Sequence, residues 1–191
     1  MNEAPRVRAD TARTVRAILA AAEQTLSAKP TATMEEIAAA AGVARTTVHR
    51  RFATREALIA DLAAWAAQQL SDAVDAARPD AAPPLVALYQ ATANVLAVKL
   101  SWRFAMNATL APGNEADRIQ AGVVERSDAL FRRLHDTGVL RPEIDPIWAR
   151  RVYYALMHEA CQTPADADPD ALATQLVDAL LHGVGTPGST L

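Results

Sequence analysis

At 191 residues, with 51% hydrophobic and 21% charged side chains, the chain has room for a small domain joined to a larger one. A single cysteine, Cys161, excludes an intramolecular disulfide, and Asp61 and Arg103 interrupt the best candidates for an apolar run of the ~18 residues that a membrane span needs. The N-terminus offers no apolar core for a secretion signal, so the expectation is a soluble cytoplasmic protein with no membrane partner and no cofactor.

The formal net charge of -3 hides an asymmetry. Residues 1–56 carry nine basic and six acidic side chains, a surplus of three positive charges; the rest carries ten and sixteen, a surplus of six negative ones. That division predicts a basic head on an acidic body. Eleven prolines fall mainly in connections, and no run shows the β-branched alternation of a strand, so helix is expected throughout.

The first helix is expected from about Asp10 to Ser27, after an N-terminal arm, with Val15, Ile18, Leu19, Ala22 and Leu26 inward. Lys29-Pro30 ends it. Thr33 then stands where an N-cap should, with Glu36 as its reciprocal partner in a capping box. Ile37, Ala38 and Ala41 repeat at helical spacing, and Gly42 is the residue type that most readily takes the left-handed conformation closing a helix. Val43 plugs the turn, and Val48 and Phe52 give the next helix one apolar stripe. Its opposite stripe reads Arg45, Thr46, His49 and Arg50, with Thr47 at the edge. Two short helices meeting at Gly42-Val43, the second with polar groups on one side, have the layout of a helix-turn-helix, whose second helix enters the major groove of DNA. Those side chains are donors suited to phosphate oxygens and guanine edges.

Thr54 caps a long fourth helix over residues 54–75, and Arg78-Pro79 through Pro84 is a break. A fifth helix over about 84–98 presents Leu85, Leu88, Tyr89, Thr92, Val95 and Leu96, and a shorter one follows around Trp102–Leu110. After the turn at Pro112-Gly113-Asn114, a seventh helix over about 115–137 places Ile119, Val123, Leu130, Phe131 and Leu134 inward and ends at Gly138. The eighth, near 145–163, is apolar on several faces, with Trp148, Val152, Ala155 and Leu156 on one side and Tyr153, Tyr154 and Met157 on others. It must therefore be covered on several faces. The ninth, about 169–182, carries a stripe of Leu172, Leu176, Ala179 and Leu180, widened by Val177 and Leu181.

From Ile37 to Leu58 the order and spacing of residues (I-A-x-x-A-G-V-A-R-x-T-V-H-x-x-F-x-x-R-E-x-L) resemble the DNA-binding domain of the TetR family of transcriptional regulators, and the likeness continues upstream into the basic first helix and downstream into G-V-L-R-P-E-I-D-P. The resemblance implies an all-α protein of about nine helices: a helix-turn-helix domain over 1–56, joined by helix four to an effector-binding and dimerisation domain over 57–191. It implies a homodimer on a palindromic double-stranded operator, most simply a repressor released by a small-molecule effector of unspecified identity. Arg45 and Arg50 are then the candidates for base edges, assisted by Thr46 and Arg51, while Thr33, Thr47, His49 and Arg55 hold the backbone. An effector wall would draw on Trp65, Tyr89, Trp102, Phe104, Met106, Asn107, Phe131, Tyr154 and His158. A four-helix dimer interface would draw on Trp148, Val152 and Leu156 of helix eight and Leu172, Leu176 and Leu180 of helix nine. Three positions depart from the family pattern: Ala44 stands where serine is usual, which removes a side-chain cap, His49 replaces a phosphate-binding tyrosine, and Arg55 replaces a lysine.

Other chemistry finds little support. His158 and Cys161 lie three apart on a helix but have no third ligand beside them, since Glu159 points elsewhere. Asp166, Asp168 and Asp170 start like a calcium loop, yet Ala171 and Val177 occupy the positions that need glycine and glutamate. No glycine-rich phosphate cradle or nucleophile elbow occurs, and His135, His158 and Cys161 form no nucleophile–base–orienter pattern, so no enzyme is expected. The rival reading from another class is a helical protein–protein adaptor whose basic head binds an acidic partner.

Overall fold

A computed structural model of the protein describes residues 3–164 and 166–183, and the described residues are helical without strands. Among the described residues nine helices follow in order: α1 (Glu3–Ala28), α2 (Met34–Ala40), α3 (Arg45–Arg51), α4 (Arg55–Ala76), α5 (Pro84–Ser101), α6 (Arg103–Met106), α7 (Glu115–Asp136), α8 (Pro146–Ala160) and α9 (Pro169–His182). The expected boundaries agree within a few residues except at two places. Helix α1 begins at Glu3 rather than near Asp10, so the arm is largely helical and its first two positions lie outside the described residues. Helix α6 is a single turn rather than the expected stretch to Leu110.

The chain forms two compact units. One runs to Ala66 and takes in Trp102–Ala116; the other is Ala67–Ser101 with the residues from Asp117 onward. The first unit is thus larger than the head expected over 1–56. Packing explains why: Trp65, Trp102, Phe104 and Met106 lie against its core, and Ala105 is buried in it, beside Ile18, Leu26, Ile37, Val48, Phe52, Leu58 and Leu62.

Within that unit the local chemistry is the one the sequence dictates. The Thr33 hydroxyl accepts from the Glu36 N–H at 3.2 Å and the Glu36 carboxylate accepts from the Thr33 N–H at 2.8 Å, closing the capping box. Helix α2 ends with Gly42 at φ +65, the Gly42 N–H donating to the Ala39 carbonyl and the Val43 N–H to Ala38. Those two bonds are a Schellman closure, and the left-handed φ is what requires glycine there. The buried Glu23 of α1, 4% exposed, accepts from the N–H groups of Phe104 and Ala105 at 2.7 and 3.0 Å and from the Ser27 hydroxyl at 3.0 Å.

In the second unit α5, α8 and α9 pack together. Leu88, Val95 and Leu96 of α5, Tyr153 and Met157 of α8, and Ala173, Leu176 and Val177 of α9 are buried. Phe131 of α7 is 1% exposed and stacks at a tilt on Tyr153, ring centroids 5.4 Å apart. Inside this apolar layer the Thr92 hydroxyl donates to the Leu88 carbonyl at 2.6 Å, which leaves its oxygen to accept from the Tyr153 phenol at 3.1 Å. Burial pushes that phenol far above the usual tyrosine range, so it stays a donor at every physiological pH. Polar ties complete the unit: Arg126 reaches Ser71 and Asp75, and Arg150 pairs with Asp128 while lying over the Tyr154 ring.

Two of the interface expectations divide here. Leu176, 4% exposed, lies in the core of the second unit. Trp148, by contrast, is 55% exposed, and Val152, Leu156, Leu172 and Leu180 are half-buried.

Candidate nucleic-acid interface

Helix α3 owes its orientation to two residues. Val48 and Phe52, 0% and 2% exposed, sink into the core of the first unit and fix which side of the helix turns outward. Arg45, Thr46, His49, Arg50 and Arg51 are exposed as a result, Thr47 is half-buried, and Thr33 is exposed at the start of α2. The donor stripe expected from the sequence is therefore presented on a short helix whose back is locked. Ala44 occupies the N-cap of α3 with no side-chain cap hydrogen bond, so the first N–H groups of the recognition helix are not consumed by a local side chain.

Two arginines are less simple than expected. The Arg55 guanidinium, half-buried, donates to the backbone carbonyls of Pro30 and Ala32 at 2.5 and 3.3 Å. It ties the start of α4 to the connection between α1 and α2, a scaffold role that the expectation of a backbone-holding residue did not include. Arg45 Nε lies 2.8 Å from the Glu35 carboxylate of α2 and 3.3 Å from Nε2 of His49. Glu35 was absent from the sequence expectations. Ten positions separate it from Arg45, a spacing that neither helix period reveals. A hydrogen bond at its own backbone, and then the Arg45 charge, hold the Glu35 carboxyl below the usual carboxylate range. Its neighbour Glu36 is lowered too, by the Lys29 ammonium at 2.7 Å and then by the Thr33 N–H, and is fully engaged in the capping box. Glu23 was also missed, because a carboxylate on the inner face of α1 has no local signature of its partner 81 residues away.

The residues expected for an effector wall are not gathered in one unit. Trp65, Trp102, Phe104 and Met106 pack on the core of the first, where Asn107 is exposed and donates to the Arg103 carbonyl at 2.8 Å. Phe104 and Asn107 also edge an open groove with Leu26, Pro30 and Ile59. In the second unit Phe131 is core, Tyr89 and Tyr154 are half-buried, and His158 is exposed. The described residues contain no cluster of three or more metal-ligating side chains. No described helix is long and apolar enough to cross a membrane.

Residues 18–62 match the family model described as bacterial regulatory proteins, tetR family. The chain is 36% identical to the HTH-type transcriptional repressor LfrR of Mycolicibacterium smegmatis over 170 residues, which cover 88% of this chain and 87% of that one. To the HTH-type transcriptional regulator NfxB of Pseudomonas aeruginosa it is 30% identical over 166 residues, 83% and 88% of the two chains. The crystal structure of the TetR-like regulator LfrR from Mycobacterium smegmatis in complex with proflavine superposes with a TM-score of 0.66 at 29% identity, covering 91% of this chain and 98% of that one. The TetR family regulator PfmR from Thermus thermophilus shares the fold, with a TM-score of 0.77 at 20% identity over 88% of this chain and 99% of that one. These relatives favour a regulator over the adaptor and enzyme readings: the chain belongs to the TetR family and is a DNA-binding transcriptional regulator.

Proposed function

We propose that the protein is a cytoplasmic repressor that binds a palindromic operator as a homodimer and lets go when a small molecule occupies its second unit. The observation that carries the DNA half of this reading is the outward stripe of Arg45, Thr46, His49 and Arg50 on a helix anchored by the buried Val48 and Phe52. Arg45 and Arg50 take base edges, with Thr46 and Arg51 beside them; Thr33, Thr47 and His49 contact the sugar–phosphate backbone, with Arg55 supporting them from its carbonyl tether. The test is a fluorescence-anisotropy titration against the duplex that the protein selects from random oligonucleotides, with an inverted repeat upstream of its own coding region as the first guess. Arg45→Ala is expected to weaken binding by ~1–3 kcal/mol per half-site and to relax base preference at one position in each. Unchanged affinity and unchanged preference would remove Arg45 from the reading surface.

Two-fold pairing sets two recognition helices about 34–36 Å apart, the spacing of successive major grooves on one side of a duplex. The surface we assign to pairing is the exposed Trp148 with Val152, Leu156, Leu172 and Leu180, now without Leu176. A tryptophan left this exposed is a large apolar area that a partner subunit would remove from water. Trp148→Glu is accordingly expected to shift the protein from dimer to monomer in sedimentation at micromolar concentration; a variant that sediments like the parent would move the interface elsewhere.

For the effector, the crystal structure of LfrR with proflavine supports a planar aromatic compound as the first probe. Tyr89 and Tyr154, half-buried aromatics of the second unit, are the residues from the expected wall that we retain for it. The effector acts by favouring a state of the dimer in which the two recognition helices no longer match the groove spacing.

A further inference from the structure

Arg45 does not stand alone on the recognition surface. Glu35, in the first turn of α2, puts Oε1 2.8 Å from Arg45 Nε and 3.9 Å from Nε2 of His49. Arg45 Nε–H donates to Nε2 of His49 at 3.3 Å, while the Glu35 carboxylate, 2.8 Å from the same nitrogen, holds it as an ion pair. The Nε side of the guanidinium is thus occupied by His49 and Glu35 together. What remains for DNA is the far end of the guanidinium, the two Nη groups side by side. That pair is the fork that donates to O6 and N7 of one guanine. A phosphate asks for less: either edge of the guanidinium serves it, in many orientations.

Glu36 cannot substitute for Glu35, since its two oxygens are taken by Lys29 and by the Thr33 N–H. The pair is too exposed, with side chains 66% and 47% accessible, to contribute much to folding. An acid beside the DNA-facing surface that adds little stability, and that repels phosphate, calls for another reason.

We propose that Glu35 is the specificity-setting partner of Arg45: it holds the guanidinium end-on for a guanine edge, and its charge disfavours the looser arrangements in which Arg45 and His49 settle on phosphates. Glu35 is therefore a positioning residue that acts through Arg45, and the inference rests on the reading of Arg45 as a base-contacting residue. Its cost is a weaker attraction to DNA of any sequence, and its return is a larger gap between operator and random duplex.

The experiment uses the full chain, the duplex selected from random oligonucleotides by the parent protein, and single-base variants of it. Glu35→Gln removes the charge and keeps the shape. It should reduce discrimination at the one position per half-site that Arg45 reads by about 5–10-fold, and should raise affinity for a random duplex at low salt by a few-fold. Discrimination at the other positions should stay as it was. In an Arg45→Ala background the same substitution should change no base preference, because nothing is left to orient. Glu35→Asp, one methylene shorter, should fall between, and serves equally if the glutamine variant fails to fold. If Arg45→Ala loses the preference and Glu35→Gln keeps it, Glu35 is only a surface ion pair and the inference is overturned while the DNA reading stands. If Arg45→Ala itself leaves every position unchanged, or no duplex is selected, the base-contact reading falls first and takes this one with it.

Discussion

Raising the salt from 50 to 200 mM is expected to weaken operator binding by about 10³–10⁴-fold. The magnitude follows from counterion release: a dimer that neutralises about 6–8 phosphates has log affinity falling against log salt with a slope of roughly -5 to -7. The structure says where those charges are. Arg50 and Arg51 are exposed in the last turn of α3, Arg16 is exposed on α1, and Arg55 stays positive although its donors are tied to Pro30 and Ala32. Arg45 counts for less, because Glu35 already sits 2.8 Å from its Nε. Three to four effective cations per head is the result, and doubling by symmetry gives the slope. The chain as a whole is negative, -3, so the attraction has to be local to the head and short-ranged, which makes it sensitive to screening. Fluorescence anisotropy at a series of salt concentrations measures the slope directly. A slope between 0 and about -2 would mean that α3 does not lie against a phosphate backbone, and would return the basic head to some other partner.

The head was legible in the sequence because its signals are local. Thr33 and Glu36 are three apart, Gly42 follows the last apolar residue of α2, and Val48 and Phe52 are four apart, so each feature is written within one helical turn. The structure adds the partners that no turn-length pattern encodes. Glu35 and Arg45 belong to different helices and meet only because the Gly42 closure sets the angle between α2 and α3. In the second unit the apolar periodicity of α8 and α9 was plain, but periodicity does not say which side is covered by whom. Leu176 and Trp148 both read as interface; one is in the core and the other is exposed, because the packing of α9 on α5 turns Leu176 inward. The effector wall was the least legible part. Aromatic residues between 57 and 163 were grouped by type, whereas Trp65, Trp102, Phe104 and Met106 are drawn to the core of the first unit by α1 and the beginning of α4.

Glu23→Ala is expected to lower the melting temperature by about 5–20 °C, the largest effect on folding among single substitutions in the first unit's polar contacts. Helix α6 is one turn, and the residue at its N-cap, Trp102, has no side-chain oxygen to offer. Its first N–H groups would be orphans if the sequence around them had to satisfy them. Glu23 does so instead, from α1, accepting from Phe104 and Ala105 at 2.7 and 3.0 Å with a third donor in Ser27. A carboxylate only 4% exposed is costly unless such donors surround it, and here the arrangement solves both problems at once. Alanine leaves the buried Ala105 N–H and the part-buried Phe104 N–H without an acceptor, at about 1–3 kcal/mol each. At roughly 2–4 °C per kcal/mol for a chain of this size, the range above follows. Glu23→Gln keeps the volume and one acceptor oxygen, so a smaller drop is expected, and Ser27→Ala, which deletes only the side-chain donor, should cost least. Hydrogen exchange gives the specific readout: protection of the Phe104 and Ala105 amides should collapse in the alanine variant while that of α2 and α3 persists. An alanine variant that melts with the parent and keeps those two amides protected would mean that other acceptors reach them, and that the short α6 holds to α1 by its apolar residues, Phe104 and Ala105, alone.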